Sequence, residues 1–215
     1  PNGCGKTTLF KTVLGINEPM GGTVKLGANI EAENLTTITK KFPYVFDGCG
    51  YTITRTAATR PFFLELSGEI RNLTLAGNLA LTSNGAPFVY ELVAGAKMTD
   101  CTNNMNVTFD FADETTYVAG FAAVLPTTTV EADSTATTVL TNCINNGHLT
   151  GVASYSQDAA KAPYNVAIGG IVGDVRAGGE DVVAYKVVMT NCVVMEPSLP
   201  LDNGTKSSAA LGQIT

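Results

Sequence analysis

The sequence predicts a mainly β fold in which short parallel strands stack as successive coils of one repeat. Two observations carry that expectation. The segment Val139-Leu140-Thr141-Asn142-Cys143-Ile144-Asn145-Asn146-Gly147-His148-Leu149-Thr150 returns in altered form at 97–104, at 188–193 and, with Leu in place of Cys, at 69–75. A phrase recurring along one chain is the signature of a stacked repeat. The composition points the same way: 45% hydrophobic, 15% charged and 22 Gly, where a globular domain usually carries about a quarter charged residues. The surface must then be covered by Thr, Asn and Ser, which favours strands and tight turns over exposed helices.

The 215 residues allow one sizeable domain or two small ones. A net charge of -6 leaves little to neutralise phosphates, so a nucleic acid is not expected as a partner. No apolar run reaches the roughly 18 residues that span a bilayer. The five cysteines include no C-x-x-C pair and do not set a redox compartment. The chain opens on Pro1 and reads as a fragment, so it is silent on a leader peptide.

Taken in order, Pro1-Asn2-Gly3-Cys4-Gly5-Lys6-Thr7-Thr8 has the form of a Walker A loop lacking its first Gly. The candidate cofactor-binding residues are therefore Asn2, Gly3, Cys4, Gly5, Lys6, Thr7 and Thr8. In such a loop the N–H groups around Gly3 and Gly5 face a phosphate, Lys6 reaches the outer phosphates and Thr7 holds Mg²⁺. A short helix is predicted next, with Leu9, Phe10, Val13 and Leu14 on one apolar face, Gly15 at its stop and Pro19 beyond. ATP and Mg²⁺ are expected only if this loop works; otherwise no cofactor is expected, and no metal site.

Residues 23–30 alternate apolar and polar, with Val24, Leu26 and Ile30 facing inward, and predict the first strand of a second domain over 23–215. Residues 1–22 then form a separate P-loop fragment. Asp47-Gly48 predicts a turn, after which Tyr51 and Ile53 open a strand.

Four units follow. Their heads are Pro61-Phe62-Phe63-Leu64, Pro87-Phe88-Val89-Tyr90, Gly120-Phe121-Ala122-Ala123 and Gly170-Ile171-Val172-Gly173, and each ends in the recurring segment. Aligning the endings puts Ile70, Met98, Leu140 and Met189 in one column, Leu73, Cys101, Cys143 and Cys192 in a second, and Leu75, Asn103, Asn145 and Val194 in a third. Parallel coils at the strand spacing stack like side chains into ladders. Cys is a compact filler in such a column, and Asn can ladder its amide from coil to coil while satisfying turn backbone. Loops are expected around 127–137, 154–163 and 176–181, where binding specificity would sit.

Two family resemblances emerge. The run PNGCGKTTLFKTVLGINEPMGGTVKLG resembles the Walker A region of an ATP-binding-cassette ATPase of the ABC-F type, through about Gly27. A cassette also needs a Q-loop glutamine, an LSGGQ signature and a Walker B run. Here Gln157 and Gln213 lie far from the first; Leu66-Ser67-Gly68-Glu69 imitates the second with Glu for Gly; and Val107-Thr108-Phe109-Asp110 breaks the apolar run of the third. The phrases FDGCGYTI, EIRNLTLAGNL, TTVLTNCINNGHLTG and NVAIGGIVGDV resemble GLUG-type β-helical repeats of Bacteroidetes surface proteins. That resemblance implies a right-handed parallel β-helix (a solenoid), exported and used as an adhesin-like or glycan-facing stalk. Because residues 22–30 read equally well as either family, the chain is expected to be a chimera or fusion joined there.

The remaining constellations are weak. His148 is the only histidine and follows the Asn146-Gly147 turn, so a solvent-exposed turn residue is expected rather than a zinc ligand or catalytic base. Asp110, Asp113 and Glu114 form the tightest acidic group, with Asp113-Glu114-Thr115-Thr116 reading as a turn. They are the residues a carbohydrate-active enzyme on a β-helix would use. The N-x-[ST] sequons at Asn34, Asn72, Asn106 and Asn203 follow from a chain rich in Asn and Thr. The leading expectation is a non-catalytic structural or adhesive module of a bacterial cell-surface or secreted protein, meeting surface glycans or host proteins. The alternative is a cytoplasmic ATP-binding cassette fragment.

Overall fold

In a computed structural model the described residues are 22–33, 35–112, 115–125, 136–154, 166–175 and 186–195. The P-loop, its helix, Asp113, Glu114 and almost all of the three expected loops lie outside them. Among the described residues every element is a strand and every strand pairing is parallel.

The strands fall into successive turns of chain. The first holds β1 (Thr23–Lys25) and β2 (Ile30–Ala32), and the second β3 (Val45–Asp47) and β4 (Thr52–Ala58). The third holds β5 (Phe63–Leu66), β6 (Glu69–Arg71) and β7 (Thr74–Leu81); the fourth, β8 (Val89–Leu92), β9 (Lys97–Thr99) and β10 (Thr102–Ala112). The fifth runs β11 (Thr116–Ala119), β12 (Ala122–Leu125), β13 (Thr137–Thr141), β14 (Ile144–Asn145) and β15 (Leu149–Ser154). The sixth runs β16 (Val166–Gly169), β17 (Val172–Val175), β18 (Lys186–Thr190) and β19 (Val193–Val194).

Each turn contributes a strand to the first and second sheets, and the third to sixth turns also contribute one each to the third. One sheet runs β1-β3-β6-β9-β13-β18, a second β2-β4-β7-β10-β14-β19 with β15 also on β10, and a third β5-β8-β12-β17. Isolated bridges at Ile38 to Phe63 and Phe42 to Leu66 carry the third sheet back into the second turn. This turn-on-turn parallel pairing is compatible with a β-helix. The small sheet β11-β16 packs on β12 and β17, which is why all four residues of β12 are buried.

The predicted columns exist. Ile70 pairs with Met98, Met98 with Leu140 and Leu140 with Met189. Leu75, Asn103, Asn145 and Val194 pair in the same way, and so do the heads Phe63, Val89, Ala122 and Val172. The columns also run further upstream than the four predicted units. Val24 and Phe46 precede Ile70, and Ile30 and Ile53 precede Leu75. Residues 23–30 are thus two strands with a corner between them, because Val24 and Ile30 belong to different sheets. Thr137, placed in a loop from the sequence, opens β13.

The inward residues of all three sheets form one core, including Phe46, Ile70, Met98 and Leu140 from the first sheet, Leu75 and Leu79 from the second, and Leu66 and Leu92 from the third. Phe88 and Phe121, one turn apart, stack with centroids 4.8 Å apart and planes at 11°. Such in-register aromatic pairs add about 0.5–1.5 kcal/mol beyond area burial. The Cys column closes the corner between the first and second sheets, where the Cys101 thiol donates to Ile70 O and the Cys143 thiol to Met98 O, each one turn back.

Candidate functional site

Asparagine does two different jobs at the corners. Inside, Asn103 Nδ2 donates to Asn145 Oδ1 at 2.8 Å, and Asn145 Nδ2 donates to Gly170 O at 2.8 Å. The same side-chain oxygens accept from the backbone N–H groups two residues on, Met105 at 3.0 Å and Gly147 at 3.0 Å. Outside, Asn72, Asp100, Asn142 and Asn191 all hold a left-handed backbone, with φ between 51° and 53°. Asn and Asp tolerate that region best among residues with a Cβ. Their side chains ladder as well: Asn142 Nδ2 donates to Asp100 Oδ1, and Asn191 Nδ2 to Asn142 Oδ1.

Asp47 anchors this outer corner in the second turn. It is 7% exposed and accepts from Asn72 Nδ2 at 3.1 Å, from Cys49 N at 2.9 Å and from Arg71 Nε at 3.0 Å. Those hydrogen bonds, with the Asn72 amide the largest and then the Cys49 N–H, hold its carboxyl down to about 2. A carboxyl whose folded value lies below its unfolded value stabilises the fold above the unfolded value and loses that contribution as pH falls through the folded one. Asp47→Asn is therefore expected to lower the urea midpoint at neutral pH. The gap from wild type should close as pH drops from about 4 to about 2, the interval between the ordinary carboxylate and this one. Urea titrations of both proteins across that range measure it.

Cys101 and Cys143 are structural. Burial pushes the Cys101 thiol up to about 12, and the Cys143 thiol is raised by its hydrogen bond with Cys192 and by burial. Neither is a thiolate nucleophile at neutral pH. Among the described residues no three His, Cys, Asp or Glu side chains come together as a metal set.

A cleft of about 240 Å³ opens beside β4, lined by Leu35, Thr36, Thr39, Arg55, Thr59 and Arg60 among others. Arg55 is 2% exposed and occupies an inward position two residues after Ile53. Its Nη1 donates to Arg60 O at 3.0 Å and its Nη2 to Leu35 O at 3.1 Å, while the buried Nε has no partner among the described residues. The guanidinium lies 5.8 Å from the centroid of the Phe62 ring. Burial lowers it to about 10, so it stays charged at neutral pH. The one signal the sequence carries for this cleft is an Arg on the apolar side of the alternating run Thr52-Ile53-Thr54-Arg55.

The other sequence candidates separate. Leu66-Ser67-Gly68-Glu69 is the corner between β5 and β6, where a Cβ on Gly68 would lie 2.1 Å from Tyr44 O. Close backbone approach, rather than nucleotide contact, explains that Gly. Val107-Thr108-Phe109-Asp110 lies within β10, alternating buried and exposed, with Asp110 on the outside. His148 is half-buried rather than exposed, and its carbonyl accepts from Val107 N at 2.7 Å, which ties it to β10. Among the described residues no helix is long and apolar enough to cross a membrane. The loop residues Asn2, Gly3, Cys4, Gly5, Lys6, Thr7 and Thr8 lie outside the described residues.

Comparison with known proteins adds two findings. The family described as ABC transporter matches residues 1–130. The chain belongs to the ABC transporter family. The match extends beyond Gly27, where the sequence likeness reads as ending, and into turns that hold parallel strands. For an ABC transporter sequence the loop implies ATP and Mg²⁺ if it is functional. By donor chemistry, Lys6, Thr7 and the N–H groups around Gly3 and Gly5 would hold them. The chain is also similar in fold to the crystal structure of a proposed immunoglobulin A1 protease from Bacteroides ovatus. The TM-score is 0.51 and the identity 15%, over 96% of this chain and 80% of that one. At that identity the likeness speaks for the fold alone. No curated protein matches the chain.

Proposed function

We propose that residues 23–215 wind into a right-handed parallel β-helix that serves as a structural or adhesive module of a bacterial cell-surface or secreted protein. In this reading residues 1–22 are a cassette-derived fragment joined to it, and no catalysis is expected. The observation that carries it is the column register, in which Val24, Phe46, Ile70, Met98, Leu140 and Met189 stack one per turn. A sequence that spends its regularity on a stack makes a rigid scaffold, and surface glycans or host proteins would meet the segments leaving it.

The ABC transporter match favours a second reading, a cytoplasmic nucleotide-binding chain that uses Lys6 and Thr7. Calorimetric titration of the full chain with Mg-ATP separates the two. The scaffold reading expects no saturable heat, and a melting temperature nearly unchanged when residues 1–21 are removed. Micromolar Mg-ATP binding that disappears in Lys6→Ala would overturn it.

A further inference from the structure

We propose that the cleft beside β4 is a binding site for an oxyanion, a carboxylate or sulfate carried on a ligand about the size of one sugar ring. The site is independent of whether the P-loop works. A guanidinium taken out of water is costly unless its charge is matched. Among the described residues no carboxylate pairs with Arg55; its two hydrogen bonds go to carbonyls that solvate the charge without neutralising it. Among the described residues the buried Nε remains a donor with no acceptor, and Arg55 lines the cleft.

The surroundings complete the argument. Arg60, exposed on the cleft wall, supplies a second cation, and the exposed Thr36, Thr39 and Thr59 supply hydroxyls. A planar fork of N–H donors is matched best by a carboxylate or a sulfate. The volume of about 240 Å³ falls below the roughly 300–1,000 Å³ of pockets for drug-sized ligands. One ring, or one residue of a longer acidic chain, fits that space. The position is built rather than incidental. The register of β4 against β7 shifts between Arg55 and Ala58, and bulges of this kind re-aim side chains beside sites.

The test is calorimetric titration of the full chain with glucuronate, inorganic sulfate and uncharged glucose. Saturable binding of glucuronate or sulfate, with none of glucose, is expected, and it should weaken as salt rises. Arg55→Lys keeps the charge but loses the fork, and should weaken binding by about tenfold or more. Arg60→Ala, on the cleft wall, should do the same and decides the matter if the buried substitution does not fold. Tighter binding of glucuronate than sulfate assigns the site to acidic sugars; equal binding assigns it to the oxyanion alone. Failure of both anions to bind, glucose binding as well as glucuronate, or affinities unchanged in Arg60→Ala would overturn the proposal.

Discussion

Asn145→Ala is expected to lower the unfolding free energy by about 3–5 kcal/mol, because it leaves several polar groups without partners at once, each worth about 1–3 kcal/mol. Asn145 is 1% exposed and Asn103 is 0% exposed. The substitution strips the acceptor from Asn103 Nδ2 and Gly147 N and the donor from Gly170 O. Water cannot enter a column closed above and below by Val194 and Leu75 without opening the stack. Urea unfolding of the full chain reads the loss. Asn146 offers the internal comparison. Its Nδ2 donates to Asn104 Oδ1 at 2.9 Å, the same chemistry in the same turn, but on the exposed face. Asn146→Ala should stay within about 0.5 kcal/mol of wild type, since water replaces the partner. Equal losses at the two positions would show that the interior ladder is not what holds the corner.

Gly77→Ala is the second large effect, expected to cost about 3–5 kcal/mol through backbone strain added to overpacking. Gly77 has φ +108°, a conformation side chains rarely adopt, and a Cβ built there would lie 2.2 Å from Arg55 O. It pairs with Arg55 on one side and Met105 on the other, so neither neighbour can step away without breaking a ladder. The same shift would move Arg55 and disturb the cleft. Gly27→Ala is the control, with nothing within 4 Å of its Cβ, and should change the thermal midpoint little.

Much of the stack was legible because the fold repeats its chemistry. Met98, Leu140 and Met189 share a column, and the sequence says so by placing Thr and then Asn or Asp after each. The two earliest turns escaped this reading for a physical reason. Between Phe46 and Thr52 the chain carries Asp47-Gly48-Cys49-Gly50-Tyr51, two residues more than the Arg71-Asn72-Leu73 that pairs beside it. The extra Cys49 and Gly50 are absorbed in positive-φ turns, so the strands still meet in register while the motif is lost to alignment.

By itself, then, the sequence determined the β class, the order of heads and tails, and which residues of the four later turns ladder, because like side chains stacked at a fixed spacing must repeat in the chain. It also carried the Walker A residues, a local signal that needs no partner. Tertiary structure alone decided the cleft. Leu35–Thr39 and Arg55–Arg60 are two segments of the chain, and only the winding of the fold brings them together around one buried charge, with β4 bulged where they meet. A charge acquires its meaning from what surrounds it, and those surroundings are set by the turn of chain stacked alongside.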